Sequence, residues 1–106
     1  MAFKTLMYWE ILPGALAPYR VTPESAVVAL HAMEEIRLEP RGIIVVDTGI
    51  GVQIPSEHMG LMAPRSGLAL SGIQVLGGIV DADNQGEIKV ILINSVEKML
   101  PIHKGD

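Results

Sequence analysis

Two apolar runs at residues 73–80 and 88–93 constrain the fold of this chain most strongly, because a polar loop of only a few residues separates them. Apolar runs around a short polar loop predict a β-hairpin over residues 77–94, with the carboxylates of Asp81 and Asp83 at its tip. The loop is not an EF-hand, since Leu92 stands where calcium requires a bidentate Glu. Two interpretations stay open, a solvated turn and a loop that binds a partner.

Short strands punctuated by Pro and Gly are predicted along most of the remaining sequence. Alternating or β-branched runs favour strands at residues 1–12, 43–54, 60–64 and 98–103. Gly49 and Gly51 predict a kink or bulge inside the longest of these runs. Eight or so short strands predict one all-β domain over residues 1–106, a barrel or a jelly-roll-like sandwich.

The segment from Thr22 to Pro40 carries two conflicting patterns. Thr22 followed by Pro23 and an acidic residue is typical of a helix N-terminus. A short apolar run at residues 26–30 and the alternation at residues 36–39 instead indicate two strands with a connection. Local propensity therefore leaves helix and strand open.

The composition excludes several classes of partner. Hydrophobic residues make up 49% of the chain with few aromatics, and this aliphatic surplus is expected to enter a subunit interface. No apolar run approaches the roughly 18 residues of a membrane span, so no membrane partner is expected. A net charge of −4 without a basic cluster argues against a nucleic-acid polymer. The sequence has no Cys and no signal-like N-terminus, and an intracellular location is the default expectation.

A second polar cluster lies at residues 64–67, with the sequence PRSG. The Arg65 guanidinium, the Ser66 hydroxyl and the flexible backbone at Gly67 suit phosphate oxygens, through charge-assisted hydrogen bonds and close backbone approach. An ordinary turn after a strand explains the same residues. The three His have no ligand spacing around them, and no metal site is predicted from them.

Residues 63–69 and 77–94 together resemble the trimeric dUTPase family, enzymes that hydrolyse dUTP to dUMP and pyrophosphate. The sequence PRSGLA at 64–69 matches the family's second motif throughout, and GIVDADNQG at 78–86 follows its third. The resemblance, which extends over about residues 22–106, implies a jelly-roll-like β-barrel of the β-clip type. It also implies a homotrimer with active sites between subunits, and it makes strands the prediction for residues 22–40.

The resemblance implies roles for individual residues. Asp81 is the expected catalytic residue, a carboxylate that orients the attacking water. Arg65 and Ser66 are expected to lie against the triphosphate, where positive and donor groups stabilise phosphoryl oxygens. The full set of expected nucleotide-binding residues is Arg65, Ser66, Gly67, Gly78, Ile79, Asp83, Asn84 and Gly86.

Several positions depart from the family pattern. Asn84 stands where the third motif has a tyrosine that packs on the deoxyribose, so discrimination of the sugar is expected to weaken. The first motif aligns with residues 26–30 and has Ala29 in place of an Asp associated with magnesium and nucleotide. Mg²⁺ is thus implied as a cofactor without this carboxylate. The fourth and fifth motifs are missing after Asp106, which predicts a domain truncated at its C-terminus relative to the family.

These departures predict a dUTPase-family domain whose activity is impaired or lost, and which binds dUTP or a related nucleotide as a homotrimer. One alternative is a catalytically silent dUTPase-fold module for assembly or regulation. Another is a fragment of a viral or retroelement dUTPase.

Overall fold

The computed structural model of the chain describes residues 6–20, 28–82 and 86–106. Eight strands and one short helix make up this described part, which confirms the predicted all-β class. In chain order they are β1 (Met7–Glu10), β2 (Ile36–Leu38), β3 (Ile43–Gln53), β4 (Met59–Leu61), α1 (Ser66–Leu70), β5 (Ile73–Leu76), β6 (Ile79–Asp81), β7 (Glu87–Asn94) and β8 (Leu100–Ile102). Among the described residues, no helix is long and apolar enough to cross a membrane.

A four-stranded antiparallel sheet in the order β1-β3-β7-β5 forms the centre of the fold. Its longest pair joins β3 to β7, with Ile43 opposite Ile93, and the register shifts between Asp47 and Gly51. Gly49 within this irregularity has φ +71°, a backbone conformation that favours Gly over residues with a side chain. The bulge predicted for this run is therefore confirmed.

Two smaller antiparallel ribbons, β2-β8 and β4-β6, complete the described strands. The predicted last strand at 98–103 contains β8, and the strand predicted at 60–64 is the shorter β4, which begins one residue earlier. The sheets formed by the described strands are separate, so the predicted strands are present without closing into a single barrel.

The buried side chains form two hydrophobic clusters in the interior. Every second residue of β3 and β7 points inward, as expected for strands with one buried face. The first cluster consists of Ala32, Leu38, Val46, Ile73, Leu92 and Ile102. The second cluster consists of Ile50, Val52, Ile54, Val80 and Ile88. Because β3 and β7 contribute to both clusters, these two strands join the halves of the core.

Asn94 at the end of β7 is a polar residue with no exposed surface. Its Nδ2 faces the carbonyl oxygens of Leu38, Glu39 and Lys98 at 3.2, 3.2 and 2.7 Å. Its Oδ1 accepts a hydrogen bond from the N–H of Val96 at 3.1 Å. A buried amide with all its groups paired stabilises the fold, and this one links the central sheet to the β2-β8 ribbon.

The hairpin predicted over residues 77–94 is wrong in its pairing, although both of its strands, β6 and β7, are present. β5 pairs with β7, but β6 leaves this sheet and pairs with β4. The chain departs at Gly77, which has φ +68°, and at Gly78, where a Cβ would lie 2.6 Å from the carbonyl oxygen of Met62. A left-handed residue followed by a close backbone approach requires Gly at both positions, and this pair directs β6 into the second sheet.

The described residues 28–40 contain one strand and one bridge, and no helix. Residues 36–38 form β2, and Ala29 makes an isolated antiparallel bridge to Tyr19. The apparent helix N-terminus at Thr22 lies outside the described residues. The alternation at residues 36–39 therefore predicted β2 correctly.

Candidate functional site

The β4-β6 ribbon carries the two polar motifs at its opposite ends. Antiparallel pairing places Met59 opposite Asp81 and Leu61 opposite Ile79. Asp81 therefore lies beside the beginning of β4, whereas Arg65 follows the end of β4.

Arg65 is held against the segment that precedes β2. Its Nη2 donates to the carbonyl oxygen of Leu30 at 3.1 Å and lies 3.2 Å from Nδ1 of His31. Within the described residues, Arg65 forms no ion pair with a carboxylate. Because Leu30 and His31 directly follow Ala29, the structure brings the second motif and the first-motif segment together within one chain.

Ser66 begins α1, a helix that the sequence analysis did not predict because five residues are too few to show a helical period. Both Ser66 and Gly67 are exposed. A Cβ at Gly67 would meet nothing within 4 Å, so the backbone here is open to solvent and not packed under another described segment.

The residues expected around the nucleotide base lie on and beside β6. Gly78 packs closely on the backbone at Met62, and the Ile79 side chain is 60% exposed. Gly86 is exposed as well, whereas Asp83 and Asn84 lie outside the described residues. For Asp81 the described feature is the backbone, which forms the last residue of β6.

Two long-range hydrogen bonds hold the base of the loop at residues 81–86, and no sequence motif indicates either of them. On one side, Nε2 of Gln53 donates to the carbonyl oxygen of Ala82 at 2.9 Å. On the other side, the N–H of Gly49 donates to Oε2 of Glu87 at 2.8 Å. The partners are 29 and 38 residues apart in the chain, so no local sequence pattern predicts these hydrogen bonds.

Lys89 adds charged contacts beside Glu87. Its Nζ lies 3.0 Å from Oδ1 of Asp47 and 3.6 Å from Oε1 of Glu87. The hydrogen bond to Asp47, followed by the negative charges of Asp47 and Glu87, raises the pKa of Lys89 above its usual 10.5. The ammonium group is exposed, so solvent and salt screen these contacts.

A cavity of about 910 Å³ lies between the central sheet and the segments around β4 and Ala29. Its lining is mainly aliphatic, and Arg65, Ser66 and His31 are among its polar residues. His31 was not a predicted site residue, since an isolated His gives no pattern in sequence. The cavity combines an apolar wall with a cationic and hydroxyl-bearing edge, a chemistry suited to an anion with an attached ring.

The described residues do not fit a magnesium ion held by the protein. Ala29, which the resemblance matches to the family's first-motif Asp, offers a methyl group where Mg²⁺ requires oxygen ligands. Groups of three or more His, Cys, Asp or Glu side chains able to hold a metal ion are absent from the part of the chain that the structure describes.

The sequence matches the profile of the dUTPase family over residues 15–106. It is 38% identical over 103 residues to the deoxyuridine 5'-triphosphate nucleotidohydrolase of Paramecium bursaria Chlorella virus 1, an alignment that covers 96% of this chain and 73% of the viral protein. It is 43% identical over 95 residues to the enzyme of the same name from Helicobacter hepaticus, covering 87% of this chain and 60% of the relative. The chain thus spans between three fifths and three quarters of these relatives.

Solved dUTPase structures have a similar fold. The structure of a mutant dUTPase from phage phi11 of S. aureus superimposes with a TM-score of 0.86 at 22% identity, covering 96% of this chain and 84% of the phage chain. That phage protein coordinates a structural Mg(II) ion. The EIAV dUTPase gives a TM-score of 0.84 at 24% identity, covering 96% of this chain and 81% of the viral chain. These likenesses confirm the predicted jelly-roll-like fold of the dUTPase type.

Proposed function

The chain belongs to the dUTPase family, and from this premise we propose that it binds dUTP in sites formed between copies of itself and hydrolyses it slowly. The supporting observation is that Arg65 and Asp81 lie at opposite ends of the β4-β6 ribbon. In this proposal, Arg65 of one chain and Asp81 of another belong to the same site. A neighbouring copy in a closed symmetric assembly supplies the second half of each site.

At the phosphate end, Arg65 and Ser66 bind the triphosphate. The Arg65 guanidinium lacks a carboxylate partner among the described residues and donates through Nη2 to Leu30, which fixes its position and leaves further N–H groups for phosphate oxygens. The open backbone at Gly67 allows close approach of the phosphate chain. These groups stabilise the negative charge that develops on the phosphoryl oxygens.

At the other end, Asp81 of a neighbouring copy acts as the general base. It orients a water molecule and accepts its proton as the water oxygen bonds to phosphorus. The P–O bond between the first and second phosphates breaks, which releases dUMP and pyrophosphate. Gly78, Ile79, Asp83, Asn84 and Gly86 surround the uracil and the sugar in this proposal.

Slow turnover follows from Ala29. Magnesium enters this proposal bound to the phosphates of the nucleotide, as Mg²⁺ commonly binds through substrate oxygens. With a methyl group at Ala29, the chain lacks the carboxylate that would fix such an ion from the protein side. The triphosphate is then less firmly oriented for attack by water. Because the rate of hydrolysis depends on how the reacting atoms are positioned, hydrolysis is slower.

Weak selection against ribose follows from Asn84. Its amide is too small to pack on the sugar as a tyrosine ring does, so UTP and dUTP are discriminated less. The ratio of their binding constants, measured by calorimetry with non-hydrolysable analogues, tests this point.

Assembly as a homotrimer is supported by an exposed apolar face of the central sheet. Val45, Ile91 and Leu76 lie in one cross-strand row and are 53%, 36% and 37% exposed, with Ile43 nearby at 63%. Apolar rows of this kind are usually covered in an assembly. Light scattering should give the mass of three chains, and a monomer would remove the basis for a shared site. One domain spanning residues 1–106 and an intracellular location belong to the same proposal.

Pyrophosphate release with dUTP and Mg²⁺ tests the proposed activity directly. The expected turnover is well below the ~1–10 per second of an ordinary enzyme, with a residual rate that disappears in Asp81→Asn. Turnover at the ordinary rate would refute the impairment, and a residual rate unchanged in Asp81→Asn would refute the role of Asp81.

A second function, a catalytically silent module for assembly or regulation, is favoured by Ala29 together with the exposed apolar face. A non-hydrolysable dUTP analogue separates the two functions by calorimetry. Uracil-dependent binding supports the nucleotide site, and a trimer that binds neither nucleotide nor analogue supports the silent module.

A further inference from the structure

The His31 imidazole is held in place from several sides beside Arg65. Its Nδ1 lies 2.9 Å from the carbonyl oxygen of Gly105 and 3.2 Å from Nη2 of Arg65. The Tyr19 ring stacks on it with centroids 5.3 Å apart and planes inclined by 10°. Nε2 has no hydrogen-bond partner among the described residues, so one ring nitrogen faces away from the contacts that fix the ring.

The two neighbours of Nδ1 make opposite demands on its proton. The Gly105 carbonyl can only accept a hydrogen bond, whereas the Arg65 guanidinium can only donate one. When Nδ1 carries a proton, it donates a hydrogen bond to the Gly105 carbonyl oxygen. The same N–H then lies as a second donor beside the Arg65 guanidinium. When the ring is fully protonated, two positive groups lie 3.2 Å apart, an arrangement that an anion between them stabilises.

The charges on the elements packed against His31 do not supply that anion. The titratable and charged residues there are Tyr19, Arg65 and Asp106. Oδ2 of Asp106 accepts a hydrogen bond from the N–H of His103 at 2.9 Å and lies 3.5 Å from its Nδ1. This carboxylate is thus turned to His103, and no described carboxylate pairs with His31 or Arg65.

We propose that His31 and Arg65 form a joint binding pair for the polyphosphate group of a nucleotide. The proposal rests on the proposed function, in which Arg65 contacts the phosphates, and adds a residue that no part of the family motifs assigns. Nε2–H of the imidazolium donates to a phosphate oxygen beside the Arg65 guanidinium. Two protein cations then neutralise phosphate charge at the place where Ala29 provides no carboxylate for a metal ion.

Calorimetry on the full chain in EDTA tests the pair, with inorganic tripolyphosphate and α,β-imido-dUTP as probes at pH 5.5 and pH 8.0. The variant is His31→Gln. The control is His58→Gln, because His58 binds only the backbone of its own turn through Ser56 at 2.9 Å within the described residues. The readout is the ratio of the two dissociation constants, variant over native, since protonation of the probe itself cancels in this ratio.

The ratio for His31→Gln should be about tenfold at pH 5.5 and close to one at pH 8.0, since loss of one charge interaction of ordinary size changes affinity by roughly this factor. The control should give a ratio near one at both pH values. His31→Arg, which keeps a positive charge throughout, should bind about tenfold more tightly than the native chain at pH 8.0 and about equally at pH 5.5. It provides the same test if His31→Gln does not fold.

A ratio that does not change with pH overturns the pair, and so does a lack of tripolyphosphate binding at both pH values. The failure of the proposed function looks different. In that case tripolyphosphate shows the pH-dependent ratio, while α,β-imido-dUTP binds no more tightly than tripolyphosphate. Conversely, tight binding of α,β-imido-dUTP with a flat ratio leaves the proposed function standing and removes His31 from it.

Discussion

The two ends of the β4-β6 ribbon are held in different ways. Arg65 is fixed by side-chain contacts to Leu30 and His31, which lie far away in the chain. The Asp81 end is fixed by the pairing of β6 with β4 and by the hydrogen bond from Gln53 to Ala82. The Arg65 end is therefore organised by tertiary contacts of a side chain, whereas the Asp81 end is organised by the backbone of a sheet.

Substitutions at the two ends of the ribbon should produce the largest effect, which is on the rate of pyrophosphate release. Arg65→Ala and Asp81→Asn are each expected to release pyrophosphate at less than about 1% of the native rate, because in the proposed function each removes a group that acts in the transition state. If copies share the site, mixing and refolding the two variants should restore about a quarter of the native sites. The measurement is pyrophosphate release at high protein concentration.

Mixing Arg65→Ala with the doubly substituted chain is the control, and it should restore nothing. Recovery that is equally absent from both mixtures would mean that the two residues act within one chain.

Removing the buried amide that links the central sheet to the β2-β8 ribbon should produce the next largest effect. Asn94→Ala leaves the backbone carbonyls of Leu38, Glu39 and Lys98 without their buried donor and opens a small cavity. The expected loss is about 3–5 kcal/mol in the free energy of unfolding, measured by urea denaturation. The exposed Gln74→Ala on β5 should change it little, and a loss below about 1 kcal/mol in Asn94→Ala would contradict the linking role.

Gly78→Ala tests the ribbon itself. The added Cβ would lie 2.6 Å from the carbonyl oxygen of Met62, so β4 and β6 must shift apart at an expected cost of about 1–3 kcal/mol. Gly67→Ala is the matched control, because its Cβ meets no atom within 4 Å and should leave stability unchanged or slightly higher. Thermal unfolding compares the two, and equal losses would argue against a close approach at Gly78.

The smallest effect is expected on thermal stability at high pH, through Lys89 near the base of the 81–86 loop. The pKa of Lys89 is raised in the folded state, so its stabilising contribution is present below pH 10.5 and is lost as the pH rises through the folded-state pKa. Lys89→Met should therefore show a shallower decline in thermal midpoint above pH 10.5 than the native chain. Lys104→Met is the control, and an identical decline in native and Lys89→Met chains would count against the contact with Asp47.

Local patterns predicted the strands well and their partners less well. The bulge in β3 was predictable because Gly49 and Gly51 interrupt a β-branched run, and β8 was predictable from alternation. The pairing of β6 with β4 was not, since the apolar run at residues 73–80 gives the same pattern whether it continues in one sheet or changes sheets at Gly77. Periodicity reports which face is buried, and it does not report which strand lies alongside.

In the candidate site, too, local motifs were visible in the sequence and long-range contacts were not. Arg65, Ser66 and Gly67 were named from sequence because their motif is local, and their role at a nucleotide stays a prediction. Glu87 and His31 were not, because their contacts to Gly49 and Arg65 cross 38 and 34 residues of chain. Such contacts exist only after the strands have packed.

The sequence by itself determined the all-β class, the positions of most strands and the two polar motifs, because these depend on neighbouring residues and on a two-residue period. The tertiary structure decided that Arg65 rests beside His31 and that Asp81 lies at the far end of the same ribbon. The physical reason is that side-chain contacts between distant segments depend on sheet register and on backbone turns at Gly77 and Gly78, which fix the geometry only in the folded chain.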